Sequence, residues 1–149
     1  MAKVIAESKE DAAFLFARHA VDLRYEVLPS EIVDMTKKGI LDTLGVMLAA
    51  SGITPEVKVL VEMMREIGGK KECTVLGFGD QVPSWHAGYL NGSRAHCLDS
   101  DDLHSTGAGH VTAPVVPAAV TTAECSGSCA GKELITSVAL GVDVRCRLV

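Results

Sequence analysis

Residues 28–52, "LPSEIVDMTKKGILDTLGVMLAASG", decide how the rest of the chain must fold. Pro29 suits the opening turn of a helix, where a missing N–H has no partner to lose. The second half of the stretch puts Ile40, Leu41, Leu44, Met47 and Leu48 on one stripe. Around that stripe Gly45, Val46, Ala49 and Ala50 are small or apolar as well. A helix that is apolar on nearly all sides belongs in the middle of something. Ser51-Gly52 stops it, and the prediction is an all-α chain, a helical bundle packed around this segment.

Helical spacing continues on both sides. Ser8 and Asp11 form a capping-box start, followed by Ala13, Phe14, Ala17, Ala20 and Val21 on one face. Thr54-Pro55 opens a third helix with Val57, Leu60, Val61, Met64 and Ile67 in register, ended by Gly68-Gly69. "ECTVLGFGD" (72–80) is the one β-like stretch, short and broken by glycine, which predicts at most a minor hairpin. Ser84 can cap a fourth helix to about Leu98, in which Ala87, Gly88, Gly92, Ser93 and Ala95 offer a surface of small residues. A fifth helix is expected from Pro114 and a sixth from near Lys132, with Leu134, Ile135, Val138 and Val142 inward. The last stretch, "VDVRCRLV", carries no Gly, Pro or polar tail to end a helix. Residues 1–149 are therefore expected to be the N-terminal portion of a larger helical protein.

Composition removes several classes of function. The net charge is −5 with scattered Lys and Arg, so there is no basic footprint for nucleic acid. A mean hydropathy of +0.25 is high for a soluble chain, yet no apolar run approaches the length of a membrane span. Cysteines 73, 97, 125, 129 and 146 lack framework spacing, so reduced, mostly packed thiols are expected. "MAKVIAESKEDAAF" has no apolar signal core, which makes a cytoplasmic address the expectation.

Against this background residues 91–110, "NGSRAHCLDSDDLHSTGAGH", crowd three aspartates and three histidines into twenty positions. A calcium loop starting at Asp99 fails, because its third ligand would be Leu103, its glycine His104 and its last ligand His110. A transition metal would find suitable ligands in Asp99, Asp101, Asp102, His104 and His110, but no rigid i, i+4 histidine pair. The string "DSDD" also occurs in class II terpene cyclases, whose cation needs aromatic walls that this chain lacks. Proton transfer suits the layout better. His96 and Asp99 lie i, i+3 at the end of the fourth helix, and Asn91, Ala95 and Asp99 share one face. His110 follows a Gly107-Ala108-Gly109 hinge and stands at the start of the fifth helix, whose free N–H groups suit a carboxylate.

Several stretches together resemble the MmgE/PrpD family. They are "LPSEIVDMTKKGILDTLGVMLAAS" (28–51), "CTVLGFGDQVPSWHAGYLNG" (73–92), "LNGSRAHCLDSDD" (90–102), "GHVTAPVVPAAVTTAE" (109–124) and "GKELITSVALGVDVRCRL" (131–148). The resemblance covers about residues 10–149 and corresponds to the N-terminal half of a family that includes 2-methylcitrate dehydratase, cis-aconitate decarboxylase and iminodisuccinate epimerase. It implies a large helical domain beside a smaller α+β domain, a homodimer, and no required metal or organic cofactor. It further implies acid/base chemistry on small di- or tricarboxylic acids. Asp99 and His110 match the family's active-site positions and are expected to be catalytic. Arg94, Asp102, His104 and Thr112 are expected to help hold substrate. Leu103 stands where the decarboxylases carry Thr, and the Asp99–His110 spacing is one residue longer than theirs. The family's later catalytic residues would lie beyond Val149, so the chain alone is expected to hold an incomplete site. The competing expectation is a non-catalytic helical module whose apolar faces mediate association.

Overall fold

The computed structural model describes residues 11–105 and 109–148. Its elements are α1 (Ala12–Asp22), a 3-10 turn (Tyr25–Val27), α2 (Ser30–Ile53), α3 (Pro55–Ile67), β1 (Cys73–Thr74), β2 (Gln81–Val82), α4 (Ser84–His96), α5 (Thr112–Cys125) and α6 (Gly131–Arg147). The fold is all-helical apart from the hairpin, as the periodicity predicts.

α4 and α5 form the central pair, and α2 and α6 pack against them. α2 buries a single stripe, Val33, Thr43, Met47 and Ala50, at helical spacing. Hydroxyls on or beside that stripe are satisfied within the helix: Thr43 Oγ1 donates to the Gly39 carbonyl at 2.8 Å and Ser51 Oγ to that of Met47 at 2.9 Å. The opposite face is open, with Leu41 72% and Ile53 70% exposed. This corrects the expectation of a helix enclosed on all sides, because its second apolar face has no cover among the described residues. No single described helix is long and apolar enough to cross a membrane.

Two clusters hold the helices together. Val57, Val61 and Met64 of α3 meet Cys73, Val75 and Val82 of the hairpin region and Ala87 and Leu90 of α4. Met47, Ala95 and Ala113 bring α2, α4 and α5 together, with Leu44 and Leu76 against them. Burying a side chain of this size contributes roughly 1.5–3 kcal/mol, so these two clusters set the relative position of α4 and α5. Tight approaches fix it further. A Cβ on Gly39 would sit 3.1 Å from Thr112 Cγ2, and one on Gly141 would sit 2.6 Å from Val115 Cγ1.

Local details differ from the sequence expectations for physical reasons. β1 pairs antiparallel with β2, Cys73 opposite Val82, across a loop that turns through Gly77 and Gly79 at positive φ. α1 is capped by Asp11, whose carboxylate accepts the Ala13 N–H at 3.0 Å; Ser8 lies outside the described residues. The expected face of α1 (Phe14, Ala17, Val21) is exposed, and the side toward the protein carries Phe16, His19 and Leu23 instead. There His19 Nε2 meets Asp143 Oδ2 of α6 at 2.9 Å. Pro83, not Ser84, precedes the first residue of α4, and Glu72 accepts the Ser84 N–H at 3.2 Å in place of a cap. α5 starts at Thr112, two residues before Pro114. The thiols are free but not mostly packed: Cys73 is buried, whereas Cys97, Cys125 and Cys129 are exposed.

Candidate active site

The histidine- and aspartate-rich segment joins the end of α4 to the start of α5. α4 stops at His96, and the Asp99 N–H returns to the His96 carbonyl at 2.9 Å. Asp99 itself sits at φ 51°, the left-handed region that Asp tolerates better than most residues. This turn takes Asp99 off the α4 face that would have aligned it with Asn91 and Ala95, and sends the chain toward α5.

The result is a cluster assembled from both helix ends. His110 Nε2 lies 3.4 Å from Asp99 Oδ1, and His110 Nδ1 lies 3.1 Å from Asp101 Oδ2. His96 Nδ1 lies 3.2 Å from both Asp101 oxygens. The two imidazoles meet edge to face, with centroids 4.6 Å apart. Burial divides the carboxylates: the Asp99 side chain is 84% exposed, the Asp101 side chain 0%, and His110 between them 28%. An imidazole lodged between an exposed and a buried carboxylate can exchange a proton on one side only.

The remaining expected residues fall into three places. Asp102 Oδ1 accepts both the Thr112 N–H at 3.0 Å and the Thr112 hydroxyl at 2.5 Å, so the two are partners and the loop is clasped to the start of α5. That takes one of the helix-end donors; Ala113 and Val115 follow, and Pro114 has none. His104 closes the loop, its N–H donating to the Gly109 carbonyl at 3.0 Å. Gly107 and Ala108 of the expected hinge lie outside the described residues.

Arg94 belongs elsewhere. It is fully buried, and its guanidinium donates to the Leu90 carbonyl at 3.2 Å and to Ser51 Oγ at 2.8 Å, and also to Leu76 O and Asn91 Oδ1. Burial pulls its pKa down to about 10, which leaves it charged at neutral pH. None of its hydrogen-bond partners belongs to the His110 cluster. Asn91 completes this arrangement by accepting the Leu76 N–H and donating to the Thr74 carbonyl, both at 3.1 Å.

Two residues escape the acid/base reading of the sequence. Asp101 is one of three similar aspartates, and nothing in the letters marks it as the buried one. Arg145 lies thirty-five residues from His110, yet its Nε donates to the His110 carbonyl at 3.1 Å and brings an exposed cation beside the cluster. The pairing of α5 with α6 does this, and spacing alone does not reveal it.

His96, Asp99, Asp101 and His110 each place one ligand atom within 4.8 Å of the others, which is close enough for a metal ion. An ion could take only one nitrogen of the His110 ring. The same geometry leaves every group in place for handling a proton.

These features define a class: a helical domain carrying an imidazole–carboxylate cluster where two helix ends converge. The model of the MmgE/PrpD N-terminal domain matches residues 15–149, and the chain belongs to the MmgE/PrpD family. Among curated relatives, the cis-aconitate decarboxylase of Homo sapiens is 30% identical over 153 residues, a match covering 99% of this chain and 30% of that protein. The chain thus spans about 30% of the length of the curated relative it matches.

Proposed function

We propose that this chain contributes the His–Asp half of a lyase or isomerase site for a small di- or tricarboxylic acid. The carrying observation is the 3.4 Å approach of His110 Nε2 to Asp99 Oδ1, with the opposite ring nitrogen against a buried carboxylate. His110 takes the proton from a carbon next to a substrate carboxylate, and the C–H electron pair shifts into the adjoining bond. In a dehydration that shift expels a β-hydroxyl, which leaves as water after receiving a proton from an acid. In an epimerisation the proton returns to the opposite face. The exposed Asp99 carboxylate relays the proton toward solvent, and the Arg145 guanidinium beside His110 suits a substrate carboxylate. Leu103 stands where the decarboxylases of the family carry Thr, which favours dehydration or epimerisation over decarboxylation.

Solvent-exchange NMR tests the base by itself, because C–H exchange needs no acid for a leaving group and so asks less than a complete site does. Citrate, 2-methylcitrate and cis-aconitate are incubated with the chain in heavy water, and loss of each α C–H signal is followed. Exchange with at least one acid, reduced about 100-fold or more by His110→Asn, is expected. No exchange, together with no thermal shift at millimolar acid, would sink the reading. A second reading draws on Leu41, Leu48 and Ile53, whose exposure leaves α2 with an apolar face suited to association. A homodimer satisfies both readings, and light scattering on the purified chain would detect it.

A further inference from the structure

We infer that Asp101 and His96 are positioning residues that hold the His110 ring in the tautomer carrying its proton on Nδ1. The inference rests on the proton-transfer reading above and deepens it. A carboxylate removed from water must receive hydrogen bonds from donors. Asp101 is such a group: its side chain has no exposure, and the ring atoms facing it are the Nδ1 of His96 at 3.2 Å and the Nδ1 of His110 at 3.1 Å. An ionised carboxylate only accepts, so each neutral ring meets it best with Nδ1–H. Asp99 faces Nε2 at 3.4 Å and by the same rule would draw the proton there. Its carboxylate is 84% exposed and water serves it, however, so the buried Asp101 decides and the His110 lone pair falls on Nε2.

His96 has two parts in this. Its own Nδ1 engages both oxygens of Asp101 and fixes the plane of the carboxylate. Its ring also abuts His110 edge to face and limits rotation of that ring. The His110 Nδ1 is buried but not yet aligned with an acceptor, despite the 3.1 Å approach. Acid/base pairs commonly tighten only when substrate arrives. Among the described residues, the charged and titratable groups shown against His110 are His96 from α4, Asp99 and Asp101 from the loop, and Arg145 from α6. Of these, Asp101 is the one that lies against Nδ1. The logic is that of a triad, in which a buried carboxylate selects the tautomer and the far nitrogen does the chemistry.

The test is long-range proton–nitrogen correlation NMR on histidine-labelled chain, at a pH where the rings are neutral. In the unmodified protein the His110 Nδ1–H form should exceed the Nε2–H form by about tenfold or more, the preference that a charge-assisted hydrogen bond sets. Asp101→Asn, checked for folding by thermal unfolding, should bring the two forms to within about threefold of each other, because a neutral amide oxygen is the weaker acceptor. A His110 ring found as Nε2–H in the unmodified protein overturns the inference, and that measurement needs no variant. A folded Asp101→Asn with an unchanged ratio overturns it as well. The two ideas fail separately. An Nδ1–H ring in a chain that exchanges no substrate proton upholds the clamp and removes the reaction. Exchange by a chain with an Nε2–H ring does the reverse.

Discussion

The chain holds two polar clusters less than twenty residues apart in sequence, and they are built to opposite rules. Around Arg94 every hydrogen-bonding group turns inward: a buried cation is met by two carbonyls, a hydroxyl and an amide oxygen. Around His110 the groups lie across a gradient from a sealed carboxylate to a solvated one. The first arrangement is sealed from solvent at Arg94 and ties α2, α4 and the hairpin loop together. The second leaves a proton-accepting atom facing outward. Equal density of polar residues therefore means different things, and burial and saturation separate structure from chemistry.

Breaking the Arg94 cluster should produce the largest effect on folding. Arg94→Met leaves Asn91, Ser51 and the Leu76 carbonyl short of a donor in the interior, at a cost of roughly 3 kcal/mol in urea unfolding. A loss under about 0.5 kcal/mol would show that the cluster does not hold the fold. Gly141→Ala comes next. Alanine gains nearly 1 kcal/mol of helix propensity, but its Cβ meets the stiff Val115 side chain at 2.6 Å, and overpacking costs about 1–3 kcal/mol. A net loss of about 1 kcal/mol is expected, with weakened catalysis because α6 carries Arg145 past His110. Unchanged unfolding and activity would show that the contact relaxes freely.

A surface pair gives the baseline for both clusters. Arg65 donates from Nε and Nη2 to the two Asp80 oxygens at 2.9 and 2.6 Å, and this hydrogen bonding holds the Asp80 carboxyl below its usual range. A depressed carboxyl pKa contributes stability that is present above the unfolded value and lost as pH falls through the folded one. Thermal unfolding from pH 6 to pH 2 should therefore show a loss below about pH 4 that Asp80→Asn removes, worth less than about 1 kcal/mol. The smallest effect on folding belongs to Asp99→Asn. Asn tolerates the same left-handed backbone, so stability should stay within about 0.5 kcal/mol while proton exchange with substrate falls. A large stability loss instead would move Asp99 into the structural class.

These contrasts explain what the sequence makes legible. The helices are visible because their apolar spacing is local, and the β-like stretch is visible because Gly77 and Gly79 break it. Asp99 and His110 stand out by residue type and by their place at helix boundaries. Arg94 looks equally available, because a lone cation gives no sign in the letters of how many carbonyls surround it. Asp101 and Arg145 acquire their places through the meeting of α4, α5 and α6, a long-range outcome that no local pattern encodes. α1 and α2 misled in the opposite direction. Their apolar faces are real, but a pattern of hydrophobic residues says what wants cover and not what supplies it.

The clasp of Asp102 on Thr112 bears on how such a loop can diverge. With the Asp102 carboxylate tied to Thr112 and the His104 N–H to the Gly109 carbonyl, those two ties set the address of the imidazole. A designer who alters the loop has to keep both ties if the ring is to stay where it is.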